Sequence, residues 1–268
     1  MARHLKESKA PDPIIEIHGV PVEIVTPNYA EGEFGDLARG LADELQMACD
    51  FFYKSPDLIK LHESIEINKL YQYFPDDEDA RQHRWHHESS NLYGMFPSLQ
   101  IAGNLFTVVA ILELYVLQLA LMVERTTSKR LTAIKRRSGL HGALEHLVAC
   151  GVDNNVTMYE QTVAAIDIRN CLAHASGYLD FYRGKECLLQ RIKTGSYLSA
   201  FHRDQPHLVA SSPPNFVLVT QTEHGDRLRI ESSYPQVLCV YFREFYLDLC
   251  NRASVAFTEN QRQNATDS

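Results

Sequence analysis

Residues 99–123 read LQIAGNLFTVVAILELYVLQLALMV, a long apolar run whose placement decides the fold. A helix of that length reaches across roughly 30 Å, the thickness of a bilayer's hydrocarbon core. Gln100, Asn104, Glu113 and Gln118 interrupt the run. A carboxylate at the centre of a bilayer costs about 2.5 kcal/mol or more. The stretch therefore reads as the buried central helix of an all-helical core, and no membrane is expected among the partners.

Outward from that helix, the pattern stays helical on both sides. From Phe34 to Tyr53, Leu37, Leu41, Leu45 and Ala48 share one face, and Asp57 to Phe74 continues with Leu58, Leu61, Ile65 and Leu70. Pro75-Asp76-Asp77 breaks the run and caps a longer helical region, Asp79 to about Glu124, with a break expected at Gly94 to Pro97. Thr132 to Ala149 forms another helix ended by Gly151, and Tyr159 to Ala175 another ended by Gly177. Pro235 to Phe257 is the last amphipathic helix. Two hairpins punctuate this pattern. Ile14 to Val25 alternates around His18-Gly19, with Pro21 favouring an edge strand. Phe216–Thr222 and Arg227–Glu231 flank His224-Gly225-Asp226. The expected organisation is a hairpin plus helical extension over 1–75, a helical domain with a β-hairpin insertion over 76–258, and a disordered tail over 259–268.

Composition narrows the function classes. With 45% hydrophobic and 22% charged residues the chain is an ordinary globular sequence, long enough for a sizeable core. A net charge of −8 excludes non-specific coating of nucleic acid, so any RNA contact needs a local basic patch. Such a patch exists at Arg125, Lys129, Arg130, Lys135, Arg136 and Arg137, which could follow an RNA backbone through phosphate contacts or form a solvated helix face and loop. The six cysteines show no CxxC, and Met1 to Pro13 is polar without the apolar core of a signal peptide. Reduced thiols and a cytoplasmic location are expected.

The chemistry concentrates in Arg169-Asn170-Cys171-Leu172-Ala173-His174, at the end of an amphipathic helix. Arg carries a permanent planar charge that fits phosphate oxygens, and His exchanges a proton near neutrality. On an ideal helix the two lie about 140° apart, so they cannot grip one phosphate from a single helix face. Asn170 and His174 are neighbours at i and i+4, and Asp167 lies on their face but roughly 10 Å along the axis from His174. Ile168 and Leu172 form the core-facing stripe with Ala164 or Ala165. A two-fold dimer resolves the geometry, because a second copy of the helix can bring Arg169 and His174 of two subunits to one site.

A long apolar helix carrying an internal Glu, a connecting helix, and a helix ending Ile-Arg-Asn-Cys-Leu-Ala-His-Ala-Ser-Gly together resemble the HEPN superfamily of RNA-processing domains. Its hallmark is Arg, four to six residues, then His, with a polar residue directly after the Arg. Arg169, Asn170 and His174 fit that pattern, and Glu113 matches the acidic residue often found on the preceding long helix. The resemblance covers about residues 99–257. It implies a mainly α fold, an antiparallel helical bundle with small β-hairpin additions at the N-terminus and before the last helix. It implies a metal-independent endoribonuclease at a homodimer interface, without cofactor. His174 would move protons at the 2′-hydroxyl or the leaving 5′-oxygen, Arg169 would stabilise phosphoryl charge, Asn170 would position the phosphate or the His174 ring, and Glu113 would orient Arg169 or His174. The implied setting is toxin–antitoxin, stress or antiviral defence, with RNA as substrate and a cognate antitoxin or regulatory partner. The alternative is a non-catalytic HEPN-like module for dimerisation, nucleotide binding or partner binding.

Other chemistries find less. Asp79, His83 and His87 sit at i, i+4 and i+8, but no further zinc ligand is flagged and HExxH is missing, so no metal is expected. No Gly-x-Ser-x-Gly elbow, Walker A loop or GxGxxG occurs, and Cys171 lies inside a helix.

Overall fold

Buried apolar spacing determines which helix lies at the centre. In the computed structural model, which describes residues 15–17, 20–22, 27–127, 129–132, 139–204 and 216–266, the elements follow in chain order. They are β1 (Ile15–Ile17), β2 (Val20–Val22), α1 (Glu33–Tyr73), α2 (Glu78–Ser90), a π turn (Asn91–Met95) and α3 (Phe96–Thr126). Next come α4 (Gly139–Ala149), α5 (Tyr159–Ala175), a 3-10 turn (Leu179–Phe181), α6 (Lys185–Thr194) and α7 (Ala200–Asp204). The chain closes with β3 (Val217–Thr222), β4 (Gly225–Ile230) and α8 (Tyr234–Thr266). The fold is mainly helical, with two small antiparallel hairpins.

Helix α3 is the centre of the core. Leu105, Val108, Val109, Leu112, Val116, Leu119 and Val123 recur at helical spacing and are fully buried. They pack against α1, α4, α5 and α8. The run is also the one described helix long and apolar enough to cross a membrane, and half of its apolar window is buried against these neighbours. From α8, Tyr234, Tyr241, Phe242, Phe245 and Tyr246 fill the other side of the core, and the Tyr246 hydroxyl donates to the Tyr115 carbonyl of α3 at 2.8 Å. Ala38, Leu41, Leu45 and Phe52 of α1 enter the same cluster.

Several elements differ from the sequence expectation, each for a local reason. The expected helices Phe34–Tyr53 and Asp57–Phe74 are one helix, α1, running through Pro56. Proline lacks the N–H that would bond the carbonyl four residues back, normally ending a helix there. Here the Ser55 hydroxyl, only 2% exposed, donates to that same Phe52 carbonyl at 3.2 Å. At Gly94–Pro97 the expected break is a π turn, in which the Phe96 N–H reaches Asn91 O and the helix continues. Helix α4 starts at Gly139; the expected start from Thr132 passes through 133–138, outside the described residues. The second hairpin turns at Glu223–His224, pairing Thr222 with Gly225. Helix α8 runs to Thr266, into the 259–268 stretch read as a disordered tail. Glu259, Gln261, Arg262 and Gln263 are good helix formers, and extending an existing helix needs no new nucleus. Helices α6 and α7 were not expected.

The Ser55 hydroxyl gives a direct check. Ser55→Ala leaves a buried carbonyl unpaired and is expected to cost about 1–2 kcal/mol of unfolding free energy in urea titrations. In a Pro56→Ala background the restored N–H takes that carbonyl, and the same replacement should then cost little.

Candidate functional site

Helix α5 is fixed at both ends. At its start, Met158 adopts a left-handed conformation, φ 59°, and the preceding turn is held by Asp248 of α8. One Asp248 oxygen accepts from the Thr157 N–H at 2.8 Å and its hydroxyl at 3.0 Å; the other accepts from Arg252 Nε at 2.9 Å. Burial alone would raise this carboxyl's pKa, but the Thr157 and Arg252 hydrogen bonds outweigh it and hold the pKa below the ordinary value. At its end, Ser176 and Gly177 have φ 51° and 82°, and the Gly177 N–H bonds Cys171 O at 3.1 Å. A side chain at Gly177 would meet Leu228 O at 3.1 Å and Leu172 Cδ2 at 3.2 Å. Glycine there lets the β3–β4 hairpin close on the helix end, through a Leu228 N–H to Gly177 O bond of 2.8 Å.

The core-facing stripe of α5 is Ala164, Ala165, Ile168 and Cys171, all fully buried, with Ala175 behind them. Leu172, read as part of this stripe, is half-buried, because the stripe steps from 168 to 171. Burial pushes the Cys171 thiol up to about 11, so this motif cysteine is a packed hydrophobe and no nucleophile.

The structure brings Arg169 and Glu113 together. Arg169 Nη2 lies 2.5 Å from Glu113 Oε1, joining α5 to the middle of α3, with the side chains 21% and 28% exposed. Gly139, the first residue of α4, packs on the same carboxylate: a Cβ there would stand 3.2 Å from Glu113 Oε1, and φ 60° selects glycine. Arg169 Nε is buried with no hydrogen-bond partner among the described residues. His174, one helical turn or more further on, is exposed and Asn170 is half-buried. The structure does not join His174 to Arg169, Asn170 or Glu113 by a hydrogen bond.

Asp167 is engaged elsewhere. Arg191 Nε of α6 is 3.4 Å from its Oδ2, and the Tyr182 hydroxyl is 3.5 Å from its Oδ1. Burial raises the Asp167 pKa, while Arg191, His141 and Tyr182 oppose the rise. Burial and the Asp167 charge push the Tyr182 phenol up to about 12. Sequence reading missed Arg191 and Tyr182, which lie on later elements with no local spacing signal linking them to Asp167.

The basic patch divides. Arg125 and Arg130 are exposed and line a depression of about 450 Å³ with Leu121, Glu124 and Thr127. Lys129 donates to the Ala149 carbonyl at the C-terminus of α4, where a cation is favoured by the helix dipole. Lys135, Arg136 and Arg137 lie outside the described residues. Arg125 follows Glu113 by about 18 Å along the α3 axis. His83 and His87 are exposed on α2, and among the described residues no three His, Cys, Asp or Glu side chains gather as a metal site would require.

An apolar face borders the Arg169–Glu113 pair. On α3, Leu99, Phe106 and Leu114 are exposed on the side opposite the buried row, and Leu114 adjoins Glu113 in sequence. On α1, Met47, Phe51, Leu58, Leu61 and Ile65 form a matching stripe. The two helices are antiparallel and level, since Tyr115 bonds Glu44 at 2.9 Å and Tyr93 bonds Glu63 further out. Compared with protein-family models, curated proteins and solved structures, the chain has no match.

The Asp248 anchor predicts a pH dependence. A lowered folded-state pKa contributes stability above the unfolded value of about 3.9 and loses it as pH falls through the folded pKa. Asp248→Asn should therefore lower stability at pH 7, and the gap from wild type should close as the pH is taken below about 4, read by thermal or urea unfolding.

Proposed function

We propose that the chain is a metal-independent endoribonuclease of HEPN type, acting as a homodimer. The observation that carries this reading is the state of Arg169. Its guanidinium is held by Glu113 and stays partly exposed, in the same helix that ends with exposed His174. A fixed, partly exposed cation suits a developing phosphoryl charge. RNA supplies its own nucleophile, the 2′-hydroxyl, so the protein handles only protons and charge. His174 takes the 2′-hydroxyl proton or protonates the leaving 5′-oxygen, Arg169 stabilises the non-bridging oxygens, and Asn170 positions the phosphate or the His174 ring. Glu113 is a positioning residue acting through Arg169. The products are a 2′,3′-cyclic phosphate and a 5′-hydroxyl, and DNA is left intact.

The homodimer follows from geometry and surface. Arg169 and His174 diverge by about 140° around α5, so a productive pair needs one residue from each copy. Eight side chains on α1 and α3, from 38% to 72% exposed, leave on the order of 800 Å² of apolar surface, the area one partner contributes to a standard interface. A toxin or defence role in the cytoplasm, restrained by a cognate partner, is the setting this reading carries. The second reading, a non-catalytic module that dimerises or binds a nucleotide or partner, is favoured by the absence of any described hydrogen bond orienting the His174 ring.

The test is incubation of total RNA with the full chain in EDTA. Wild type is expected to cleave, and His174→Ala and Arg169→Ala each to lower the rate at least about 100-fold. Equal cleavage by wild type and both variants, or none by wild type, would overturn the reading. Loss of cleavage on chelation alone would return the His83 and His87 cluster to consideration.

A further inference from the structure

The segment that follows His174 carries a cluster of aromatic rings with an arginine over it, outside the Arg169–His174 motif. After the left-handed residues Ser176 and Gly177, Tyr178 pairs with Arg227 of β4 as an isolated β-bridge, which ties the segment to the hairpin. The Tyr178 ring lies edge-on to Phe181 at 6.2 Å and to His224 at 6.4 Å, and the Arg227 guanidinium lies over it at 5.2 Å. Phe181 is 74% exposed. Its two neighbours in the 3-10 turn are placed for other reasons, Leu179 buried in the core and Asp180 paired with Lys185 at 2.6 Å. A phenyl ring this exposed loses the transfer free energy that usually retains such a side chain. Arg227 over the Tyr178 ring is exposed, as are Arg183 and Arg229, and acidic side chains are interspersed, with Glu223 3.3 Å from His224.

We propose that this surface is a stacking platform for an unpaired base of single-stranded RNA, with Phe181 as its principal face. Every base offers a π-face, and exposed aromatic rings beside arginines are the usual means of holding splayed-out nucleotides without reading a particular sequence. A paired base inside an A-form helix is already stacked and cannot reach such a ring. The arginines meet the flanking phosphates, and the negative net charge of the chain confines RNA to local patches of this kind. Gly177, held to both α5 and β4, fixes the platform beside the helix end that bears His174. The inference rests on the ribonuclease reading and adds to it a base-binding subsite at Phe181. A base on Phe181 would place its neighbouring phosphodiester at the end of α5.

The experiment separates binding from cleavage. The probe is a fluorescent 2′-O-methyl oligoribonucleotide of mixed sequence, which lacks the attacking hydroxyl, titrated with the full-length chain and read by anisotropy. Wild type is expected to bind the single strand more tightly than the same sequence as a duplex. Phe181→Ala should weaken single-strand binding about tenfold, the loss typical of one stacked base, and Phe181→Trp should restore it. Arg227→Ala should weaken binding and flatten its salt dependence. Unchanged binding by Phe181→Ala, equal affinity for duplex and single strand, or no saturable binding by wild type would each overturn the platform. A protein partner seated on Phe181 in place of RNA would show as the last of these. The ribonuclease reading fails on a different result, intact RNA after incubation with wild type, so the two are distinguishable.

Discussion

The contact between Arg169 and Glu113 constrains everything that bears on function. It joins α5 to the middle of the central helix, and a charge-assisted hydrogen bond of 2.5 Å in a partly buried setting contributes on the order of 1.5–3 kcal/mol. The pair also explains how a carboxylate sits in the long apolar central helix. Glu113 stands at the edge of the buried face, where Val109, Leu112 and Val116 turn inward and Leu114 turns outward. The start of α4 folds over it at Gly139, so three helices meet at one carboxylate. Removing either partner would leave a charge near the core without compensation.

That constraint fixes where Arg169 points, and so decides what His174 can do. With Arg169 turned toward α3, the helical twist carries His174 around to solvent at the far end of α5. The αL residues Ser176 and Gly177 then redirect the chain under the β3–β4 hairpin. The anchoring of α5 by Asp248 at one end and Gly177 at the other makes this separation rigid. Under the proposed function, chemistry that needs both residues is intermolecular, and exposed Leu114 directly follows Glu113.

Periodic burial was legible in the sequence, whereas compensation between distant residues was not. The apolar rows of α3, α5 and α8 and the two hairpins follow from local spacing, whereas the resemblance left Glu113 to either Arg169 or His174 and the structure joins it to Arg169. The stretches Phe34–Tyr53 and Asp57–Phe74 join into one helix across Pro56 because Ser55 supplies the missing donor to Phe52, which apolar spacing does not reveal. The π turn hides in the same way, since one extra residue per turn leaves no compositional mark. Lys129 reads as an RNA contact until the C-terminus of α4 is seen to occupy it. The platform residues Tyr178 and Phe181 carry a faint signal, aromatic residues directly after a Ser-Gly helix stop, but His224 and Arg227 reach them only through tertiary packing.

The central claim is that Arg169 of one copy works with His174 of another. Mixing Arg169→Ala and His174→Ala chains, after unfolding and refolding them together, tests it most directly through RNA cleavage in EDTA. Random pairing makes half the dimers mixed, and each mixed dimer holds one intact Arg–His combination, so activity should return to about a quarter of wild type. A mixture as inactive as either variant alone would contradict the account.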